Sequence, residues 1–432
     1  MAALTRAQIV DAFHGYGRPR SRWLVGGELE RHLLVPSGAP TPYFGRHGVS
    51  ELLHALIREG WVPHREGPHP IALLKNGASV TLEPGGQFEL SGKPYATVGE
   101  VAAEAQAFQD DVDRLLEGTG VRQVALGYTP FARIEDVPWV PKGRYGIMRR
   151  HMAEAGTLGH HMMKGTCATQ ASFDFSDEAD CARKVRLATA LAPLVTALFA
   201  NSPLTRGRPN GWASFRGHIW TKTDPARTGM PDAAARFSYE RWIDYLLDVP
   251  MMFTKVNGTW RPANGRTFRD WMATGEPGVA EWDLHLTSVF PEVRVKHQIE
   301  VRMADCVPLD LANAFFALFT GIFYCKRASD GARAVAEQFI RFGTREARFD
   351  EACRHGLKGT VGGRSLTSWA EDLVTVARDG LSRCSPDDVP LTDPLVRLVE
   401  RGESPAHRVL RLAATLDHDA LLDQLHPGVP TP

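Results

Sequence analysis

The stretch EVRVKHQIEVRM, residues 292–303, holds a period of two over its whole length: Val293, Val295, His297, Ile299, Val301 and Met303 alternate with Glu292, Arg294, Lys296, Gln298, Glu300 and Arg302. Successive side chains of a strand point to opposite faces, so the pattern predicts one extended strand with an apolar face on a core and a row of ionisable groups opposite. An antiparallel sheet with one wetted face has the same signature. What the polar face is for has to come from its neighbours.

Two other stretches repeat the theme. Trp23–Pro36 alternates as a strand, with Glu28 and Glu30 two residues apart and hence on one face. Thr166–Phe175 sets Thr169, Ala171, Phe173 and Phe175 against Gln170, Ser172 and Asp174. Ile71–Leu74 and Ala78–Glu83, joined by Asn76-Gly77, predict a hairpin, because Asn-Gly suits a turn with positive φ. A further strand follows Pro84-Gly85-Gly86, and Gly120–Thr129 is expected to be extended. Ser214, Arg216, His218 and Trp220 are placed on one side of another strand.

Helices are predicted at 5–16, with Thr5 as N-cap, and at 48–60, 98–116, 145–155, 179–200, 237–247 and 309–325 by apolar spacing. From Ser329 onward the chain reads as mostly helical. The expected organisation is a catalytic body over residues 1–330 and a helical C-terminal extension over 331–432 packed on the same body.

The 432 residues carry 50 Lys+Arg and 50 Asp+Glu, so no overall charge draws the chain to nucleic acid or an anionic membrane. The longest apolar run, Leu311–Cys325, is interrupted by Asn313 and Thr320 and is short of the roughly twenty residues that span a bilayer. The first residues lack a secretory h-region, and the expectation is a cytoplasmic protein. Six cysteines without a C-x-x-C pair read as reduced core thiols. Monomer and homodimer are both open.

Phosphate-loop, strand-linked dinucleotide, zinc-protease and serine-hydrolase motifs are all absent. His160-His161, the only adjacent histidine pair, is read as structural. What recurs is glutamate on extended segments beside glycine: Glu28 and Glu30 after Gly26-Gly27, Glu83 and Glu89 around Pro84-Gly85-Gly86, and Glu300 on the polar face. Glutamate is a poor strand former, so its placement there asks for a compensating gain. Carboxylate oxygens suit Mg²⁺, which usually bridges to substrate phosphates. Arg216, Arg227, Arg294, Lys296 and Arg302 supply cations able to neutralise a transferring phosphoryl group.

The block Leu82-Glu83-Pro84-Gly85-Gly86-Gln87-Phe88-Glu89-Leu90-Ser91-Gly92 resembles the signature of the plant-type glutamate–cysteine ligases, found also in many bacteria. Further blocks agree in order, among them Pro141-Lys142-Gly143-Arg144-Tyr145, Phe199-Ala200-Asn201-Ser202-Pro203, Arg227-Thr228-Gly229-Met230 and Phe290-Pro291-Glu292-Val293-Arg294. The resemblance implies an α+β fold: a curved antiparallel β-sheet wrapped by helices, like the catalytic domains of glutamine synthetase and guanidino kinases, with a helical C-terminal part. It implies ATP- and Mg²⁺-dependent joining of the γ-carboxyl of L-glutamate to the amine of L-cysteine through a γ-glutamyl phosphate, the first step of glutathione synthesis. By position it makes Glu28, Glu30, Glu83, Glu89 and Glu300 the metal candidates. Arg216, Arg294 and Arg302 become the catalytic candidates, and Trp220, Arg227, Gln170 and Lys296 the cofactor-binding ones.

The chain departs from the family pattern near the amino-acid substrates. An arginine is replaced by Gly165 in Met163-Lys164-Gly165-Thr166-Cys167, and an asparagine by Ser172 after Gln170-Ala171. Lys164 is the expected substitute as a point charge. Two alternatives follow from these losses: a related carboxylate–amine ligase with another amino-acid or amine substrate, and a catalytically silent paralogue that binds nucleotide. A guanidino phosphotransferase rests on fold analogy alone.

Overall fold

The computed structural model describes residues 4–431. Its centre is a nine-stranded antiparallel sheet. The first strands are β1 (Val25–Leu34), β2 (Val62–Glu66), β3 (His69–Lys75), β4 (Ala78–Leu82), β5 (Phe88–Ser91), β6 (Arg122–Val124) and β7 (Ala168–Phe173), followed by strands Val293–Val295 and Ile299–Asp305. β1 is the hub. It pairs with β7 from Val25 to Leu29, with β5 from Glu28 to Arg31, and with β6 from His32 to Leu34. The sheet continues outward through β4, β3 and β2 on one side and through Ile299–Asp305 and Val293–Val295 on the other.

The alternation in residues 292–303 belongs to two strands rather than the single one expected. Lys296–Gln298 form a turn, and Val293, Arg294 and Val295 pair with Val301, Glu300 and Ile299. The turn is centred on a residue, so paired positions keep the same parity and the polar face stays polar through the reversal. The exception is His297. Placed on the core face by the pattern, it is the exposed apex of the turn, edge-on to Tyr16.

Ser214 to Trp220 form a helix with its N-cap instead of the expected strand. Ser214 is the N-cap, its hydroxyl accepting the Gly217 N–H at 3.0 Å, and the helix runs over Phe215–Trp220. Arg216 and Trp220 still share a face, because four residues is also a helical repeat. His218 turns away to stack on Trp212. The segment Gly120–Thr129 is extended only at β6.

The apolar face of the sheet, including Val25, Leu29, Ala171, Phe173, Ile299 and Val301, is buried in one large core with helices Glu178–Leu198 and Leu309–Tyr324. The latter helix is buried along most of its length, and no single helix among the described residues is long and apolar enough to cross a membrane. The 330/331 division falls inside helix Lys326–Phe339, and helix Leu366–Cys384, beyond that division, contributes Leu366, Trp369, Leu373 and Leu381 to the same core. All six cysteines are free and five are buried.

Candidate active site

The polar face of the sheet forms the floor of a basin of about 260 Å³. Strand register puts the acids there. Glu30 lies directly opposite Glu89, and Glu28 lies opposite Gln170 on one side and Ser91 on the other, spacings at which paired side chains touch. Glu83 reaches the basin from a turn. β4 ends at Leu82, and the Glu83 N–H donates to the Gln87 carbonyl at 3.0 Å while its carbonyl accepts from the Gly86 N–H at 2.9 Å. Gly85 is required here, since a Cβ would sit 2.3 Å from the Lys164 carbonyl oxygen. Gln87 fastens the turn, its amide nitrogen donating to the carbonyls of Met163 and Thr166.

The sheet thus brings Glu28, Glu30, Glu83 and Glu89 to one lining, joined by Gln170, Lys296, Arg294 and Arg302 from the adjacent strands and turn and by Arg216 and Trp220 from the short helix. Glu30 accepts the Ala168 N–H at 2.6 Å and the Gln170 amide at 3.0 Å, and the Gln170 oxygen in turn accepts from Arg302. Glu89 accepts from Thr81 and Ser91, each at 2.9 Å. Neither Glu28 nor Glu83 receives a side-chain hydrogen bond among the described residues.

Two sequence candidates stand elsewhere. Glu300 is one layer beneath the basin surface. Both of its oxygens accept from Arg294 at 2.7–2.9 Å, Arg302 also donates to it, and Lys296 Nζ is 3.7 Å away. Its lone pairs are taken up by guanidinium groups, so in this arrangement it supplies the countercharge of the cationic wall. Arg227 does not line the basin. It is fully buried, paired with Asp224, and donates to the carbonyls of Ser288 and Pro250. Lys164, the expected substitute for the missing arginine, donates to the Val137 carbonyl at 2.9 Å and lies over Trp139. At Gly165 a Cβ would come within 2.5 Å of the Tyr128 ring.

The sequence reading left Arg144, Tyr145, Met148, Met162, Met163, Met252 and Phe253 without a role, yet all line the basin. For Arg144 a signal was present, a cation inside the block Pro141-Lys142-Gly143-Arg144-Tyr145. The methionines carry no such mark.

Electrostatics divide the basin in two. Burial, with the nearby charges of Glu300 and Glu89, pushes Glu28 up to about 8. Burial and the neighbouring carboxylates also raise Glu30 well above the ordinary range, and raise Glu83. Glu300 goes the other way: burial alone would raise it, but Arg294, Arg302 and Lys296 outweigh that and hold it below the usual carboxylate range. Opposite the acids, Arg216 Nη1, Trp220 Nε1 and Arg144 Nε are buried without a hydrogen-bond partner among the described residues. Buried donors of this kind normally have partners, so these three suit anionic oxygens.

The acidic half fits Mg²⁺. No three His, Cys, Asp or Glu side chains among the described residues are gathered as a metal cage. Mg²⁺ needs none, since it takes one or two carboxylates and completes its shell with water and phosphate oxygens. Glu28 and Glu83 have free hard-oxygen donors for that purpose.

The Glu28 shift gives a measurable sign. Above about pH 4.5 its carboxyl ionises in the unfolded chain, whereas in the folded protein it keeps its proton up to about pH 8. The folded state therefore holds more protons across that window, and this group's contribution to stability falls as pH rises. Glu28→Gln removes the effect. The stability of this variant relative to wild type, measured by denaturant unfolding without ligand, is expected to climb between pH 5 and pH 8; a flat difference would contradict the shift.

The model of the Glutamate-cysteine ligase family 2 matches residues 24–425. The chain belongs to this family. It is 37% identical over 420 residues to the chloroplastic glutamate–cysteine ligase of Brassica juncea, covering 95% of this chain and 81% of that one. It is also 37% identical over 422 residues to that of Arabidopsis thaliana, covering 95% and 80%. Among solved structures it resembles a glutamate–cysteine ligase of Francisella tularensis in complex with AMP, with a TM-score of 0.60, 13% identity, and 93% and 87% of the two chains covered. A bifunctional glutathione synthetase of Pasteurella multocida gives a TM-score of 0.55 at 13% identity, covering 96% of this chain and 52% of that one. The family is one of ligases, and the α+β fold expected from the motifs is the fold of these structures.

Proposed function

We propose that this chain joins the γ-carboxyl of L-glutamate to the amine of L-cysteine at the expense of ATP, with Mg²⁺. The observation that carries the reading is a single basin in which four glutamates face Arg216, Arg294 and Arg302. Glu28 and Glu83 would hold Mg²⁺, with Glu30 and Glu89 adding negative charge behind them. When bound, Mg²⁺ draws charge from the phosphate oxygens. Arg216, Arg144 and Trp220 offer unpartnered donors to the phosphates and the substrate carboxylates. Arg302, fixed between Glu300 and Gln170, presents its charge with little freedom to move, which is how a phosphoryl-transfer site lowers its barrier.

In this reaction a γ-carboxylate oxygen of glutamate bonds to the terminal phosphorus of ATP as the bond to ADP breaks. The cysteine nitrogen then attacks the carbonyl carbon of the γ-carboxyl group, inorganic phosphate leaves and the amine loses a proton. Incubation with L-glutamate, L-cysteine and MgATP should yield ADP, phosphate and a product with the mass of γ-glutamylcysteine.

A second reading, a ligase for another amine or carboxylate, is favoured by Lys164 pointing at Val137 and Trp139 rather than into the basin, which leaves the lost arginine without a substitute. A panel of amino-acid pairs separates the two. Phosphate release that requires cysteine supports the first, and cysteine-independent turnover with another amine supports the second. Nucleotide binding without turnover over every pair would mark a silent paralogue.

A further inference from the structure

A second cavity, of about 680 Å³, lies among helices Glu178–Leu198, Asp232–Ala235, Lys326–Phe339 and Arg345–His355. None of its lining residues belongs to the basin. Its apolar surface comes from Leu187, Ala190, Ala336 and Ile340, and five arginines stand around it against two glutamates. Three of the five are paired with acids: Arg183 with Asp180, Arg333 with Glu337, and Arg345 with Asp232.

The other two have no acid partner among the described residues. Arg186 donates to the Phe237 carbonyl, and Arg348 donates through Nη1 to the carbonyls of Ile340, Phe342 and Gly343 at 2.7–3.1 Å. Carbonyls satisfy hydrogen bonds but carry no countercharge. Arg348 is only 7% exposed, and its Nε is buried without a partner among the described residues. A buried guanidinium with no carboxylate in ion-pair contact is costly; Glu346, the acid whose charge reaches Arg348, is itself paired with Arg345, and Arg348 borders a cavity whose size is that of a small-molecule site.

We propose that this cavity binds a small amphipathic monoanion, a carboxylate with an apolar tail, its head group at Arg186 and Arg348 and its tail along Leu187, Ala190 and Ala336. An anion supplies the missing countercharge, and a guanidinium accepts a carboxylate in bidentate fashion. A purely apolar ligand would leave both arginines as they are. A strongly hydrated polyanion would gain nothing from the apolar wall.

Octanoate is a suitable probe, titrated by calorimetry into the full-length protein with octylammonium as the charge control. The expected result is saturable binding of one octanoate, with affinity reduced at least tenfold in Arg186→Glu and lost in Ala190→Trp, which fills the cavity. Octylammonium should not bind. Ligase activity in Arg186→Glu, whose side chain is exposed, is expected to match wild type and so reports that the variant folds. The proposal is overturned if octanoate shows no saturable binding to wild type, if Arg186→Glu binds it as well as wild type does, or if octylammonium binds equally.

Discussion

Glu83→Gln is expected to lower turnover by about two to three orders of magnitude, the scale on which removal of one group stabilising transition-state charge is felt, while leaving the fold at least as stable as wild type. The two halves of this expectation have different origins. Stability is spared because no group among the described residues hydrogen-bonds to the Glu83 carboxylate, and burial with the Glu89 charge outweighs the nearby cations in disfavouring its charged form. The turn is closed by its backbone, through Gln87 and Gly86, and is fastened by the Gln87 side chain. Gln is nearly isosteric, and removing the charge also removes its repulsion with Glu89, one cause of the raised pKa after burial. Activity is lost because an amide oxygen is a weak substitute for a carboxylate at a hard divalent cation. Steady-state ADP release at saturating substrates measures the first effect and urea unfolding the second. Wild-type turnover in the variant would remove Glu83 from the ion-binding set.

Much of the acidic floor was legible because strand geometry is read directly from spacing. Glu28 and Glu30 had to share a face once Trp23–Pro36 was extended, and register then placed Glu89 opposite Glu30. What spacing does not carry is parity across a turn. Arg294 and Glu300 lie on one face whether residues 292–303 form one strand or a hairpin, so the polar row was right and the connectivity was not. Likewise, Arg216 and Trp220 share a face in either a strand or a helix, and only the N-cap role of Ser214 distinguishes the two. The roles of Glu300 and Arg227 were illegible for a deeper reason. A carboxylate that binds a metal and one that binds an arginine are the same residue type, and the choice is made by which cations the fold packs within reach. The aliphatic and sulfur-bearing wall at Met148, Met162 and Met252 has no chemical signature at all outside the folded chain.

Glu300→Gln should behave unlike Glu83→Gln, and the difference tests the reassignment of this residue. In the folded protein its carboxylate, with 5% of the side chain exposed, is the shared countercharge of Arg294, Arg302 and Lys296, whose side chains are 9%, 11% and 31% exposed. Removing one member of a buried ion pair leaves the remaining charge desolvated and uncompensated, at a cost of about 3–5 kcal/mol. The amide still accepts one hydrogen bond, so the loss is expected near the lower end of that range, about 3 kcal/mol. With a urea m-value of about 3 kcal/mol per M, that moves the midpoint down by about 1 M. Turnover falls as well, because Arg302 loses one of the two acceptors that hold it over the basin, the other being Gln170. A metal ligand predicts the opposite order: ligand-free stability at or above wild type, with the deficit appearing only in activity. The midpoint measured without Mg²⁺ therefore decides between the two, and a Glu300→Gln protein as stable as wild type would return this glutamate to the metal set.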